Sequence, residues 1–166
     1  MRILSAIPAV LAVCASFSAV HADTPAPVAI AAPATNKIIG PVLYVSDVKA
    51  SLKFYHDMLG MTVNGQFGPA DRPSVSLVFG GGPAAPTLML LSDREGPVPR
   101  KIEHGHGYDR LALLVNDLRG LQKRLRDAGY SVTDIRQIHE VRLMAMATDP
   151  DGYRIELIDS QAVPAK

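Results

Sequence analysis

The chain has 166 residues, enough for one domain or for two small modules around a shared core. Apolar residues make up 48% and the formal net charge is +1, so a core can be filled and no charged field is left to hold a polyanion. There is no basic run, no tryptophan and few other aromatics, so nucleic acid is not an expected partner and a stacking platform for sugars or bases is missing.

Met1-Arg2 starts the chain with a positive charge, residues 3–20 are apolar, and Val20-His21-Ala22 ends the run with small residues where a signal peptidase reads them. Residues 1–22 are therefore read as a secretory signal peptide, which predicts a periplasmic or secreted protein. Two alternatives stay open. Pro8 and the many small side chains speak against a membrane-spanning helix, and Val13 before Cys14 speaks against a lipoprotein anchor. Cys14 is the only cysteine, so loss of the leader would leave no disulfide, thiolate nucleophile or zinc–thiolate site. Residues 23–36 are Ala/Pro-rich and aperiodic, and are expected to be a disordered tether. Residues 161–166 are expected to be a disordered tail.

The folded domain is expected over residues 37–160, and it repeats itself. Val45-Ser46-Asp47 is echoed by Val115-Asn116-Asp117, Gly60 by Gly129, and Thr87-Leu88-Met89-Leu90-Leu91 by Arg154-Ile155-Glu156-Leu157-Ile158, at offsets of 67 to 70 residues. Repeat one spans 38–93 and repeat two spans 109–160. In each, a short apolar run (38–45, 110–115) predicts a strand. Asp47 and Asp117 follow as helix N-caps. Val48, Leu52, Tyr55 and Leu59 then recur at helical spacing, as do Leu118, Leu121, Leu125 and Ala128, and Gly60 and Gly129 stand where each helix stops. Three strands are predicted next in each repeat: 61–66, 75–80 and 87–91, then 131–136, 141–148 and 153–159. Asp149-Pro150-Asp151-Gly152 marks a turn, with Gly80-Gly81-Gly82-Pro83 as its counterpart. The fold class is α+β, two tandem βαβββ modules whose sheets must share or bury their second faces around a cleft.

Val45-Ser46-Asp47, Phe54-Tyr55, Leu59-Gly60-Met61 and Asp149-Pro150-Asp151-Gly152-Tyr153-Arg154-Ile155-Glu156-Leu157 together resemble the vicinal oxygen chelate superfamily over about residues 38–159. That group includes glyoxalase I, extradiol dioxygenases, fosfomycin-resistance enzymes and bleomycin-binding proteins. The resemblance is specific for the fold and weak for the activity, because one fold hosts several chemistries. It implies four metal-ligand positions, which fall on Gly40, Met89, Arg110 and Glu156. Only Glu156 is of the expected type, so no metal and no cofactor is expected. The resemblance also places Tyr44 and Asp93 where glyoxalase I carries an Arg and an Asn that anchor glutathione. Relatives often build the cleft across a homodimer, which makes a homodimer the expected assembly.

Arg110 and Glu156 are expected to face each other in the vacated site. A structural salt bridge is one reading. The other is catalytic, with Arg110 as the fixed positive charge on a developing oxyanion and Glu156 as general base. Alternation puts Arg142, Met144, Met146 and Thr148 on one strand face, and the repeat maps them onto Val75, Leu77, Phe79 and Gly81. With Tyr44 and Met89, the residues Leu77, Phe79, Arg142, Met144 and Met146 are the candidate ligand-binding wall, Arg142 being a possible anion contact at the mouth. Ordinary core packing is the alternative for the methionines. His104 and His106 lie in the loop between repeats and are expected to be solvated, with metal binding as the alternative. His56 is expected at the surface.

The leading functional expectation is a metal-independent lyase or isomerase that moves a proton on a small, largely apolar oxygenated ligand. The alternatives are a binding or resistance protein without chemistry, and a metal-dependent glyoxalase or dioxygenase that draws on His104 or His106.

Overall fold

In the computed structural model, residues 38–80, 85–93, 100–138 and 142–161 are described. The expected leader, the tether, Gly81-Gly82-Pro83, His139-Glu140, Val141 and residues 162–166 of the tail lie outside them. No helix among the described residues is long and apolar enough to cross a membrane. Lys37–Lys166 group as one compact unit.

The first module runs β1 (Val42–Val45), α1 (Val48–Leu52), β2 (Thr62–Phe67), β3 (Ser74–Val78) and β4 (Thr87–Ser92). The second runs β5 (Leu111–Val115), α2 (Leu118–Asp127), β6 (Arg136–Ile138), β7 (Arg142–Thr148) and β8 (Arg154–Asp159). Each module is one four-stranded sheet, in the orders β1-β4-β3-β2 and β5-β8-β7-β6. In both, the first strand pairs in parallel with the last, and the other pairings are antiparallel.

The first helix departs from the predicted stripe. Asp47 caps it by accepting from the amides of Lys49 and Ala50. After Leu52 the turns widen to a π-type spacing over Lys53–Met58, and the amide of Leu59 donates to the carbonyl of Phe54 at 3.1 Å. The wider turn places both Phe54 and Tyr55 in the core, although only Tyr55 lies on the predicted stripe. Phe54 then meets Tyr130 of the second module edge to face at 5.0 Å. One apolar cluster takes in Leu43, Leu90 and Leu77 of the first module and Leu121, Leu125 and Leu157 of the second.

The predicted strand over 131–136 shrinks to Arg136–Ile138. Val132 makes only an isolated bridge to Ala147. Between them Thr133 interrupts the ladder, because its hydroxyl, not a main-chain carbonyl, accepts from the amide of Met146 at 2.9 Å.

The register decides which residues share a face. Val78 pairs with Thr87 and Thr148 pairs with Arg154, so the closing turn is residues 79–86 in the first module and 149–153 in the second. The turns differ by three residues. An odd difference moves the alternation to the opposite face. Met89 lies in one row with Val42 and Ser76, and Glu156 lies in the equivalent row with Ala112 and Met146. The counterpart of Met146 is therefore Ser76, not a member of the set Val75, Leu77 and Phe79.

Candidate functional site

Arg110 precedes β5 and Glu156 sits mid-β8. Nε of Arg110 donates to Oε2 of Glu156 at 2.9 Å. Nη1 of Arg110 donates instead to Asp109 at 2.7 Å, and Asp109 also accepts from Nη1 of Arg154 at 2.6 Å. The guanidinium is thus shared between two carboxylates, and its bond to Glu156 is single, not the two-pronged fork that a guanidinium and a carboxylate can form. The Glu156 side chain is 13% exposed and that of Arg110 is 39% exposed, so the pair lies at the edge of the open sheet face and not in a closed cage.

The remaining predicted residues divide. Leu77 is fully buried in the helix-side core and Phe79 packs against that core, which corrects their assignment to a ligand wall. The cause is the three-residue difference between the turns. Met89, Met144 and Met146 lie on the open faces by register. Met144 is nonetheless 1% exposed, with Nε of Arg136 3.0 Å from its sulfur. Arg142 donates through Nη1 to the carbonyls of Asp159 and Ser160, so that nitrogen is committed to backbone and not to an anion at a mouth. Tyr44 is 56% exposed on β1. His56 is exposed beside Asp57. His104 is held, not free in a loop: its Nε2 donates to the carbonyl of Asp151 at 2.8 Å, and its ring stands against Tyr153. His106 is exposed.

The turn over 149–153, read from sequence only as a turn, ties the two modules together. Asp149 is buried. Its carboxylate accepts from the Tyr55 hydroxyl at 2.9 Å and from the amides of Asp151 and Tyr153. Asp151 in turn accepts from the amide of Ser46 and, at 2.5 Å, from its hydroxyl. Tyr153 donates to the carbonyl of Tyr44 at 3.0 Å. Burial pushes the Asp149 carboxyl above its ordinary range despite these donors, and burial next to Asp149 pushes the Tyr55 hydroxyl far up. The signal was present in sequence as two carboxylates in one turn, more than the turn itself needs.

The four positions that the resemblance assigns to metal ligands fall two to each module. Gly40 has no donor and no room for one: its φ is +149°, and a Cβ there would lie 1.9 Å from the carbonyl oxygen of Thr87. Met89 offers a thioether, and Arg110 an obligate cation already paired. No group of three or more His, Cys, Asp or Glu side chains that could hold an ion occurs among the described residues. This donor set does not fit a four-ligand divalent ion.

Residues 37–157 match the model of the Glyoxalase/Bleomycin resistance protein/Dioxygenase superfamily. A lactoylglutathione lyase of Haemophilus influenzae is 31% identical over 141 residues, which are 76% of this chain and 94% of the relative. A probable lactoylglutathione lyase of Synechocystis is 29% identical over 75% of this chain and 96% of its own length. Among solved structures, the trypanothione-dependent glyoxalase I of Leishmania major superposes with a TM-score of 0.64 at 26% identity, covering 75% of this chain and 87% of that one. Sequence, sheet order and superposition agree, and the chain belongs to the Glyoxalase/Bleomycin resistance protein/Dioxygenase superfamily.

Proposed function

We propose that this glyoxalase-like protein is a lyase- or isomerase-type enzyme that moves a proton on a small, largely apolar oxygenated ligand without a metal. Glu156 is the base and Arg110 the fixed positive charge that steadies the developing oxyanion. The observation that carries this reading is the single Nε–Oε2 contact at 2.9 Å, at two of the family's ligand positions, with Nη1 of the guanidinium held by Asp109. A pair joined by one bond can open to a substrate oxygen at less cost than a bidentate one. Ala112, Met146 and Ile158 supply an apolar floor beside Glu156. The relatives named lactoylglutathione lyase support lyase chemistry, while Tyr44 and Asp93 in place of the glutathione anchors favour a different ligand.

The apolar leader supports export to the periplasm or beyond, and the exposed Leu114 on the open face of the second sheet supports a homodimer. A second reading, a binding protein without chemistry, draws support from the internally satisfied Arg110–Asp109–Arg154 chain.

Glu156→Gln separates the two. A thermal-shift screen of small apolar oxygenated acids first supplies a ligand, since binding to the folded state raises Tm. Under the enzyme reading, the variant loses turnover by about 10²- to 10⁴-fold and keeps the ligand-induced shift. Unchanged turnover in the variant, or a stoichiometric metal retained through exhaustive dialysis, would overturn it.

A further inference from the structure

Three of the chain's five tyrosines line one cleft of about 450 Å³, a volume within the roughly 300–1,000 Å³ range of small-molecule pockets. Tyr44 comes from β1, Tyr108 from the segment before β5, and Tyr153 from the turn before β8. Val42, His104 and Glu103 also line it. The rings are set at right angles: Tyr108 meets Tyr153 at 6.0 Å and 86°, and His104 meets it at 4.6 Å and 90°. Two of them are anchored, Tyr153 by its bond to the Tyr44 carbonyl and His104 by its bond to the Asp151 carbonyl. Tyr44 and Tyr108 are 56% and 42% exposed, so their rings are accessible from solvent.

The formally charged side chain described in the lining of the cleft is a carboxylate. Glu103 supplies it, and no hydrogen bond or ion pair holds it among the described residues. Burial first, and then the nearby charge of Asp149, pushes the hydroxyl pKa of both Tyr108 and Tyr153 up, which holds them neutral. Among the described residues, no lysine or arginine lines this cleft. Lys101 and Arg100 line the adjoining one, where Arg100 pairs with Asp93 at 3.1 Å. Perpendicular electron-rich rings with an unpaired carboxylate and no competing cation are the arrangement that attracts an alkylated ammonium group, whose charge is weakly hydrated and spread over methyl groups.

We propose that the cleft between Tyr44, Tyr108 and Tyr153 binds a small organic cation of the methylated-ammonium class, with Glu103 as its counter-charge. The site shares Tyr44 with the candidate ligand wall but uses neither Arg110 nor Glu156, so it does not depend on the proton-transfer reading.

Calorimetric titration of the purified protein with choline, and with its neutral isostere 3,3-dimethylbutan-1-ol, tests this at low ionic strength. Choline should bind saturably and at least about tenfold more tightly than the isostere. Tyr44→Leu and Tyr108→Leu should each weaken choline about tenfold and leave the isostere nearly unchanged, with circular dichroism reporting that each variant is folded. Should either fail to fold, Glu103→Gln, an exposed substitution, should still weaken choline about threefold. A preference for choline below about threefold, or no saturation by about 50 mM, overturns the proposal. Full affinity in the folded tyrosine variants, or in Glu103→Gln, overturns it as well.

Discussion

The two modules have the same strand order and the same pairings, yet their closing turns do different work. In the first, residues 79–86 close β3 onto β4 and Phe79 packs against the core. In the second, residues 149–153 close β7 onto β8, and the residue equivalent to Phe79 is Asp149, buried and hydrogen-bonded to Tyr55 of the other module. The same position is thus filled once by an apolar ring and once by a carboxylate that reaches across. A repeated topology shares its core without sharing its polar chemistry. The second module carries the clamp and the Arg110–Glu156 pair, and the first carries the Tyr55 and Ser46 hydroxyls, the Ser46 amide and the Tyr44 carbonyl that the clamp holds.

The sharpest way to break this comparison is Asp149→Ala against Phe79→Ala. Asp149→Ala strands three donors, the Tyr55 hydroxyl and the amides of Asp151 and Tyr153, and should cost about 3–4 kcal/mol in urea unfolding. Phe79→Ala, at a partly buried ring, should cost about 1–2 kcal/mol. Equal losses would mean that the turn over 149–153 is only a turn. Gly40 and Arg110 form the next pair, equivalent positions at the entry to β1 and β5. Gly40→Ala drives a Cβ into the Thr87 carbonyl at a backbone angle that only glycine adopts easily, and should cost about 2–3 kcal/mol. Arg110→Ala removes a partly exposed ion pair and should cost about 1 kcal/mol or less. The same collision predicts that Gly40→His, which would restore a metal-ligand type, yields a destabilised protein without a bound ion.

The comparison also shows what the sequence made legible. Both modules, their helices and most strands followed from periodicity, caps and the internal repeat, because each reports a local preference. The faces of β3 did not follow, because the repeat offset shifts from 70 to 67 residues across the closing turn and a linear alignment does not say where. The pairing of Arg110 with Glu156 was readable from two symmetry-related positions. The sharing of Arg110 with Asp109 was not, since neighbouring side chains in an extended segment usually point apart. Tyr55 and Asp149 were each visible as a motif residue, but their bond spans 94 positions and depends on the way the modules dock.

A smaller difference lies at the two helix starts. Asp47 caps α1 from an extended backbone, whereas Asp117 caps α2 from the left-handed region at φ 52°. Asp47→Ala should cost about 1 kcal/mol, the usual worth of a cap. Asp117→Ala should cost about 2 kcal/mol, because alanine loses the cap and also sits poorly at positive φ. Asp117→Asn should cost under about 0.5 kcal/mol, since asparagine both caps and tolerates that backbone. Chemical denaturation of the three variants reads the difference directly.

The smallest expected effect is a slope, and it belongs to the clamp alone. The Asp149 carboxyl titrates above its ordinary value of 3.8 because burial outweighs the hydrogen bonds from Tyr55, Tyr153 and Asp151, with Asp151 adding a like charge. Between the ordinary and the native value the folded protein holds a proton that the unfolded chain has released. The unfolded state then binds fewer protons, so the free energy of unfolding falls as pH rises through this window. The contribution is complete below the unfolded value and lost above the native one. Asp149→Asn keeps an acceptor for the amides of Asp151 and Tyr153 and cannot ionise, so its stability lacks this descent. Urea midpoints of the two proteins from pH 4 upward should therefore converge as pH rises, the wild type losing more, while Phe79→Ala runs parallel to wild type throughout. Parallel curves for Asp149→Asn as well would show that Asp149 is ionised across the range and that solvent reaches the junction it was placed to seal.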